Sequence, residues 1–342
     1  MRADLLVVGA GPAGASAAIT AARQGMRVVL CERQIMRDGT ARDKVCGEFI
    51  SPEALPLLRA LAPEALAKAP EISSAAFIAR GGRRGEFTLP APGRGCSRLQ
   101  LDAALWRAAV ATGVDCRPAT PIAEHAIPSE FAGAAIIRAT GRADAGPWVG
   151  IKARFAGLPP STSVELFSIP GGYCGIAPVE AGLTNVCCLL RRRHAGALTG
   201  ARDFAAWLHA HARSQPLRRR LDGARPITAT VFTLCGLGRQ SAPRGGAFAA
   251  GDAAGFLDPF TGDGIARALL SGQLAGEAAA AGRLADYPRS LAQSASRGFR
   301  AATLLRWAMH APAAAQSLLA PLAAQPLLAR RLLAATRWRG LQ

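Results

Sequence analysis

The sequence predicts an α/β protein: a three-layer domain interrupted by an inserted sheet-rich region and followed by C-terminal helices. Three observations predict it. A short buried-strand pattern, Ala3 to Val8, runs straight into Gly9-Ala10-Gly11-Pro12-Ala13-Gly14 and a helix of small residues. A second small-residue strand, Ala247 to Ala250, opens another glycine-rich turn, Gly251 to Ala268. Between them, residues 147–238 read as a meander of alternating strands and turns, a texture unlike either end.

The first element is a buried strand because its apolar run is continuous, with no polar alternation. Small residues then continue to Ala22, as a helix packed closely on a sheet requires. Arg27 to Cys31 reads as the second strand, ending in Glu32. In a G-x-G-x-x-G turn the glycines make the tight bend, admit a pyrophosphate and bring helix to strand. The helix N-terminus holds the phosphates, and the acid after the second strand takes ribose hydroxyls. This sets Gly9, Gly11, Pro12, Ala13, Gly14, Glu32 and Arg33 at a Rossmann-like dinucleotide site.

Arg42 to Pro52 is polar and irregular, and its place after the second strand sets it beside the middle of an extended dinucleotide. Arg42 and Lys44 are candidate cofactor contacts there. Ser51 or Pro52 opens a helix through Leu61. Ala75 to Ala79 and Glu86 to Leu89 read as strands around Gly81-Gly82. Ser97-Arg98 starts a helix that runs to Thr112. Val114 to Arg117 and Ala134 to Ala139 are short strands, the latter closed by Thr140-Gly141-Arg142.

The inserted strands are Trp148 to Phe155, Ser163 to Ile169, Tyr173 to Pro178 and Leu183 to Leu190, with a helix from about Asp203 to Arg213. The chain then returns to Gly251. Its glycines allow close approach to a ligand, and a helix starting near Gly264 aims N–H groups and a positive dipole end at it. The resulting division gives one discontinuous nucleotide domain (1–70, 90–145 and 240–285). The substrate domain, mostly antiparallel, takes 71–89 and 146–239, and a helical region takes 286–342.

Composition sets limits. The 342 residues are 50% hydrophobic and 19% charged, which excludes a disordered chain. Net charge is +18, and only three of the 41 basic residues are lysines. The charge reads as a basic surface, with an acidic carrier protein or a peripheral membrane contact as sharper alternatives. Nucleic acid is not expected, because clusters such as Arg191-Arg192-Arg193 and Arg218-Arg219-Arg220 lack interleaved aromatics. The eight cysteines form no C-x-x-C and suit a reducing cytoplasm. His209 and His211 do not share a helix face, so no metal site is expected. From Trp307 to Ala329 there is no charged residue, but Pro312, Pro321 and Pro326 break the stretch. It reads as helices on the core, a membrane-dipping surface or a cover for a greasy substrate.

With both glycine motifs in view, the chain resembles the flavoprotein monooxygenase and geranylgeranyl reductase superfamily, which includes flavin-dependent halogenases. The residues that carry the resemblance are Gly9–Gly14 with Glu32, Arg98 before a helix, Thr140-Gly141-Arg142, and Gly251-Asp252 through Ile265. The resemblance implies FAD as cofactor. It places Asp252 on the ribityl chain, Arg98 at the phosphates or ribityl region, Glu32 on the adenosine ribose, and Gly141, Gly251, Gly262, Gly264 and Ile265 around the rest. NAD(P)H or an external flavin reductase would supply electrons.

Within the superfamily the signals divide. Gly255-Phe256 replaces the histidine common in aromatic hydroxylases, and Thr261-Gly262-Asp263-Gly264-Ile265 is similar to the reductases with Asp263 for Glu. Lys44-Val45-Cys46-Gly47-Glu48 is also reductase-like. The reductases' Tyr-x-Trp-x-Phe-Pro motif is absent, its place taken by Gly172-Tyr173-Cys174-Gly175-Ile176-Ala177-Pro178. None of Lys44, Lys68 and Lys152 has a setting that suits halogenation. The leading expectation is monooxygenation, hydroxylation or epoxidation through a flavin C4a-hydroperoxide, of an apolar, aromatic or conjugated small molecule, free or carrier-tethered. The alternative is reduction of C=C bonds; a flavin-bound interaction protein is the outside reading. Cys46, Glu48 and Tyr173 are the candidate catalytic residues, with Cys174 nearby. For each a bland role competes: a small buried thiol, a loop hydrogen bond, a strand tyrosine. Asp258 and Asp263 read as turn caps.

Overall fold

A computed structural model describes residues 2–34, 42–123, 127–142, 145–195, 204–211, 215–239, 246–256 and 259–293, with four isolated positions beyond. The first layer is a fully parallel five-stranded sheet. Its strands are β1 (Leu5–Val8), β2 (Val28–Cys31), β6 (Asp115–Arg117), β7 (Ala135–Arg138) and β15 (Phe248–Ala249), in the order β15-β7-β1-β2-β6. Three helices, α1 (Pro12–Arg23), α3 (Arg98–Ala111) and α7 (Gly264–Ala280), pack on one face. Leu6, Val8, Val29 and Cys31 cover the other face with Phe131. Strand alternation explains the division: Leu5, Val7, Val28 and Leu30 point to the helices and their neighbours away.

The second layer is a nine-stranded mixed sheet. It contains β3 (Phe49–Ile50), β4 (Glu71–Ile78), β5 (Arg84–Gly95), β8 (Trp148–Ala156), β9 (Ser163–Ile169), β10 (Gly172–Pro178), β11 (Thr184–Arg191), β12 (Arg225–Pro226) and β13 (Val231–Cys235). The run β8-β11-β10-β9 is antiparallel, as the meander predicts, but β4 joins β9 in parallel. The strand expected at Glu86 to Leu89 extends to Gly95. A register shift opposite Ile72 and Ser74 lets Pro90 and Pro92 bulge out, so the strand survives two residues that cannot donate to a ladder. The sheet also takes in Phe49–Ile50, beyond the 71–89 and 146–239 segments named from the sequence.

Helices α5 (Phe204–His211) and α6 (Gln215–Arg220) cover the far face of this sheet, where Phe155 meets Phe204 edge-on and Phe204 stacks on Trp207. The helix expected from Ser51 to Leu61 is a 3-10 turn, Pro52–Ala54, leading into α2 (Leu55–Leu61). A short helix, α4 (Arg192–Ala195), follows β11, and β14 (Gly238–Arg239) pairs with β16 (Gly255–Phe256). Among the described residues no helix is long and apolar enough to cross a membrane. Apart from Gln325 and Leu327, the Trp307–Ala329 stretch lies outside them, as do Asp258, His125 and His310.

Candidate active site

The turn from β1 to α1 is built for close approach. Gly9 takes φ +100°, and a Cβ on Gly14 would overlap the Gly9 carbonyl oxygen. Gly11 is the N-cap of α1 and Pro12 its first residue, and no side chain caps the helix. The uncapped end therefore keeps N–H groups and dipole available to an anion. Glu32, buried at the end of β2, is oriented by two backbone donors: Ala10 N–H to Oε2 at 2.9 Å and Gln34 N–H to Oε1 at 3.0 Å. Each oxygen keeps a second lone pair for a hydroxyl ligand. Arg33 and Arg42 are exposed nearby.

Arg98 comes to the same turn from α3, for which Ser97 is the N-cap, accepting from Gln100 N–H at 3.1 Å. An Arg98 Nη2 lies 3.7 Å from where a Gly11 Cβ would be. Its guanidinium grips Asp102 through two bonds, 2.8 and 2.7 Å, and Lys44 Nζ reaches Asp102 at 3.1 Å. Burial works against the Asp102 charge, but Arg98 and then Lys44 overcome it and hold its pKa below the usual carboxylate range. Asp102 was not singled out from the sequence, although its spacing four residues after Arg98 marks a helix-face ion pair.

The second turn stands opposite. Gly251 takes φ +64° with Ala13 directly against it, and Gly262 takes φ +68° against the Phe49 ring. Helix α7 begins at Gly264 without a side-chain cap, and Ile265 packs into the main core. Asp252 is 28% exposed, 3.7 Å from Arg142. Dense surroundings raise its pKa, opposed by Arg142, Arg98 and Arg267. Arg142 follows Gly141 (φ +78°), lies 4.9 Å over the Phe256 ring and donates to the Val45 carbonyl at 3.0 Å. Asp263 is fully buried within the field of Arg267.

Facing this turn, one side of the mixed sheet is apolar. Trp148, Tyr173, Leu189, Cys235 and Phe256 form a buried cluster, flanked by the partly exposed Phe77, Leu166, Leu237 and Phe260. Tyr173 meets Phe260 edge-on at 6.4 Å, and Arg191 lies 4.2 Å over Trp148. Lower on the same face the character changes. Lys152 and Arg154, i and i+2 on β8, contact the segment 43–48 that carries Cys46 and Glu48. Cys46 is partly buried, with Sγ accepting from Glu48 N–H at 3.4 Å and its carbonyl accepting from Asn185 Nδ2 at 3.0 Å. Glu48 is fully buried against Lys152 and Arg154. The structure thus brings Glu32, Lys44, Arg98 and the first glycines together at one end. It brings Gly251, Asp252 and the start of α7 together at the other. Cys46 and Glu48 lie between, and Tyr173 lies on the sheet above.

These donors fit a flavin dinucleotide. They comprise two helix starts without side-chain caps, a ribose-type carboxylate at Glu32 and a guanidinium close to Gly11. The chain's residues 4–60 match the family model described as FAD dependent oxidoreductase. The chain is 28% identical over 315 residues to digeranylgeranylglycerophospholipid reductase 2 of Methanopyrus kandleri, covering 82% of this chain and 77% of the relative. Its fold is similar to the flavin-dependent brominase Bmp2, with a TM-score of 0.77 at 19% identity over 99% of this chain and 95% of that one. A geranylgeranyl bacteriochlorophyll reductase-like protein from Thermoplasma acidophilum gives 0.74 at 18% identity over 98% and 95%. These likenesses support a place for the chain in the FAD-dependent oxidoreductase superfamily. This oxidoreductase is therefore an enzyme of the flavin class, and the comparisons back C=C reduction better than the monooxygenation expected first.

Proposed function

We propose that this protein reduces a carbon–carbon double bond in an apolar, isoprenoid-like molecule. The observation that carries the reading is the apolar cluster around Tyr173, Leu189, Phe256 and Phe260, set against the Gly251–Gly264 turn. Bound and reduced, FAD supplies a hydride equivalent. Gly9–Gly14, Glu32, Arg98 and Lys44 bind its adenosine and phosphate end. Asp252 and the start of α7 orient its other end, where the helix dipole favours negative charge. Phe77, Leu166 and Phe260 exclude water from an alkene lying on the sheet. Tyr173 carries the one hydroxyl of that cluster, and we assign it the proton delivered to the second carbon.

The test is anaerobic. Flavin in the purified protein is reduced with dithionite, excess reductant is removed, and a short polyprenyl alcohol is added. Reoxidation of the flavin, with a product two mass units heavier, is the expected result. If the flavin stays reduced with the polyprenyl alcohol but reoxidises with oxygen and yields a product sixteen units heavier, double-bond reduction is the wrong reaction. Tyr173→Phe should slow the reoxidation by about 100-fold while flavin stays bound.

A further inference from the structure

Glu48 is held from four directions. Its carboxylate accepts from Lys152 Nζ at 2.5 Å, from Arg154 Nε at 3.2 Å and Nη2 at 3.0 Å, and from the Arg98 backbone N–H at 2.7 Å. Its carbonyl accepts from Cys96 N–H at 2.9 Å. Asp43 completes a quartet, 2.6 Å from Lys152 and 3.0 Å from Arg154. Two cations and two anions cancel in a space where Lys152 and Glu48 have no exposure and Arg154 has 4%. Lys152 also donates to the Lys44 carbonyl at 3.1 Å. Glu48 itself takes φ +58°, a left-handed conformation that a non-glycine residue keeps only where its surroundings enforce it. A carboxylate committed to two cations in a dry interior is poorly placed to exchange protons with a ligand. Its use is positional.

What it positions is the segment 43–48, and that segment touches both ends of the site. Lys44 joins Asp102 and Arg98 at the Gly11 turn. The Val45 carbonyl holds Arg142, which stands beside Asp252, while the Val45 side chain fills the space left by Gly150 on β8. The Cys46 carbonyl is tied to Asn185 on β11. We infer that Lys152 and Arg154 are positioning residues of the active site, fastening segment 43–48 to the sheet so that Lys44, Arg142 and the Cys46 thiol hold their places. The inference rests on the flavin-site reading only for what those three groups serve.

The experiment reads the segment directly. Purified protein, with and without added FAD, is alkylated with iodoacetamide and the rate at each cysteine is followed by peptide mass spectrometry. Lys152→Met should raise the Cys46 rate about tenfold, as a local opening would, and leave buried Cys96 and Cys188 unchanged. With FAD bound, the same variant should shift the visible flavin band and raise its fluorescence. Glu48→Gln alone should also raise the rate. The double variant Lys152→Met, Glu48→Gln should show no more than the larger single effect, because the two act through one contact. Multiplying effects, or a Cys46 rate in folded Lys152→Met within twofold of wild type, would overturn the inference. Should Lys152→Met not fold, Asp43→Asn, which leaves the Lys152–Glu48 pair intact, gives the same decision from the same rate. Wild-type protein that binds no FAD would remove the flavin reading but not the clamp, since the unliganded arm reports on the segment alone.

Discussion

Asp102→Asn gives the sharpest test of how charge is organised at the first turn. Asn keeps the shape and removes the charge that neutralises Arg98 and Lys44 inside the protein. Asp102 is 1% exposed, Arg98 14% and Lys44 28%. Breaking a buried pair from one side costs about 3–5 kcal/mol. Lys44 can turn to water, so the low end, about 3 kcal/mol, applies. For a chain of this size that lowers the melting temperature by roughly 4 °C in the absence of flavin. With FAD present the loss should shrink, because pyrophosphate brings negative charge to the same guanidinium. The pH dependence has a definite sign. The folded pKa of Asp102 lies below its unfolded value, so its contribution is fully present above the unfolded carboxylate range and is lost as pH falls through the folded value. Calorimetry at pH 7 and in acid, with and without FAD, measures all three. A flavin-free variant melting within 2 °C of wild type at pH 7 would refute the account, as would a loss that grows when FAD is added.

Three other outcomes are expected. Asp252→Ala should weaken FAD retention by about tenfold, the scale of one hydrogen bond to a charged group, measured by flavin release on dilution; unchanged occupancy would reassign the ribityl contact. Gly14→Val should leave the protein without flavin after purification, since any Cβ there meets the Gly9 carbonyl, and full occupancy would sink that packing argument. Burial pushes the Cys116 thiol up to about 12, so at pH 8 its iodoacetamide rate in native protein should be on the order of 1000-fold below that of the unfolded chain; a comparable rate would contradict the burial.

Much of the cofactor end is legible in the sequence because each part is local. The glycine spacing, Glu32 after a buried strand and Arg98 behind a serine cap are all patterns within one element. The clamp is not local. Lys152 lies in a strand where eight consecutive residues are buried, so its surroundings look apolar and its charge anomalous. Its partners, Asp43 and Glu48, are more than 100 residues earlier. A signal was still present: two bases at i and i+2 of a buried strand must share a face and require acids opposite. Sequence shows the type of Glu48 and not its neighbours, so it reads there as a candidate acid or base and its ion partners stay hidden. The parallel join of β4 to β9 was likewise hidden, since pairing direction depends on a connection that leaves through the other layer.

The seam between α1 and α7 sets a timetable for the molecule's assembly. Cβ atoms at Gly272 and Gly276 would strike the main chain at Ala13 and Ala17, so the two helices lie backbone to backbone. Yet they are separated by the whole inserted sheet. At a synthesis rate of roughly 5–20 residues per second, α7 leaves the ribosome on the order of half a minute after α1. Until then the flank of α1 that α7 covers stays open, and the first phosphate turn lacks the helix that buttresses it. The mixed sheet, almost complete by residue 191, has that interval to form. A complete cofactor site thus waits for α7, although the first glycine turn is made long before it.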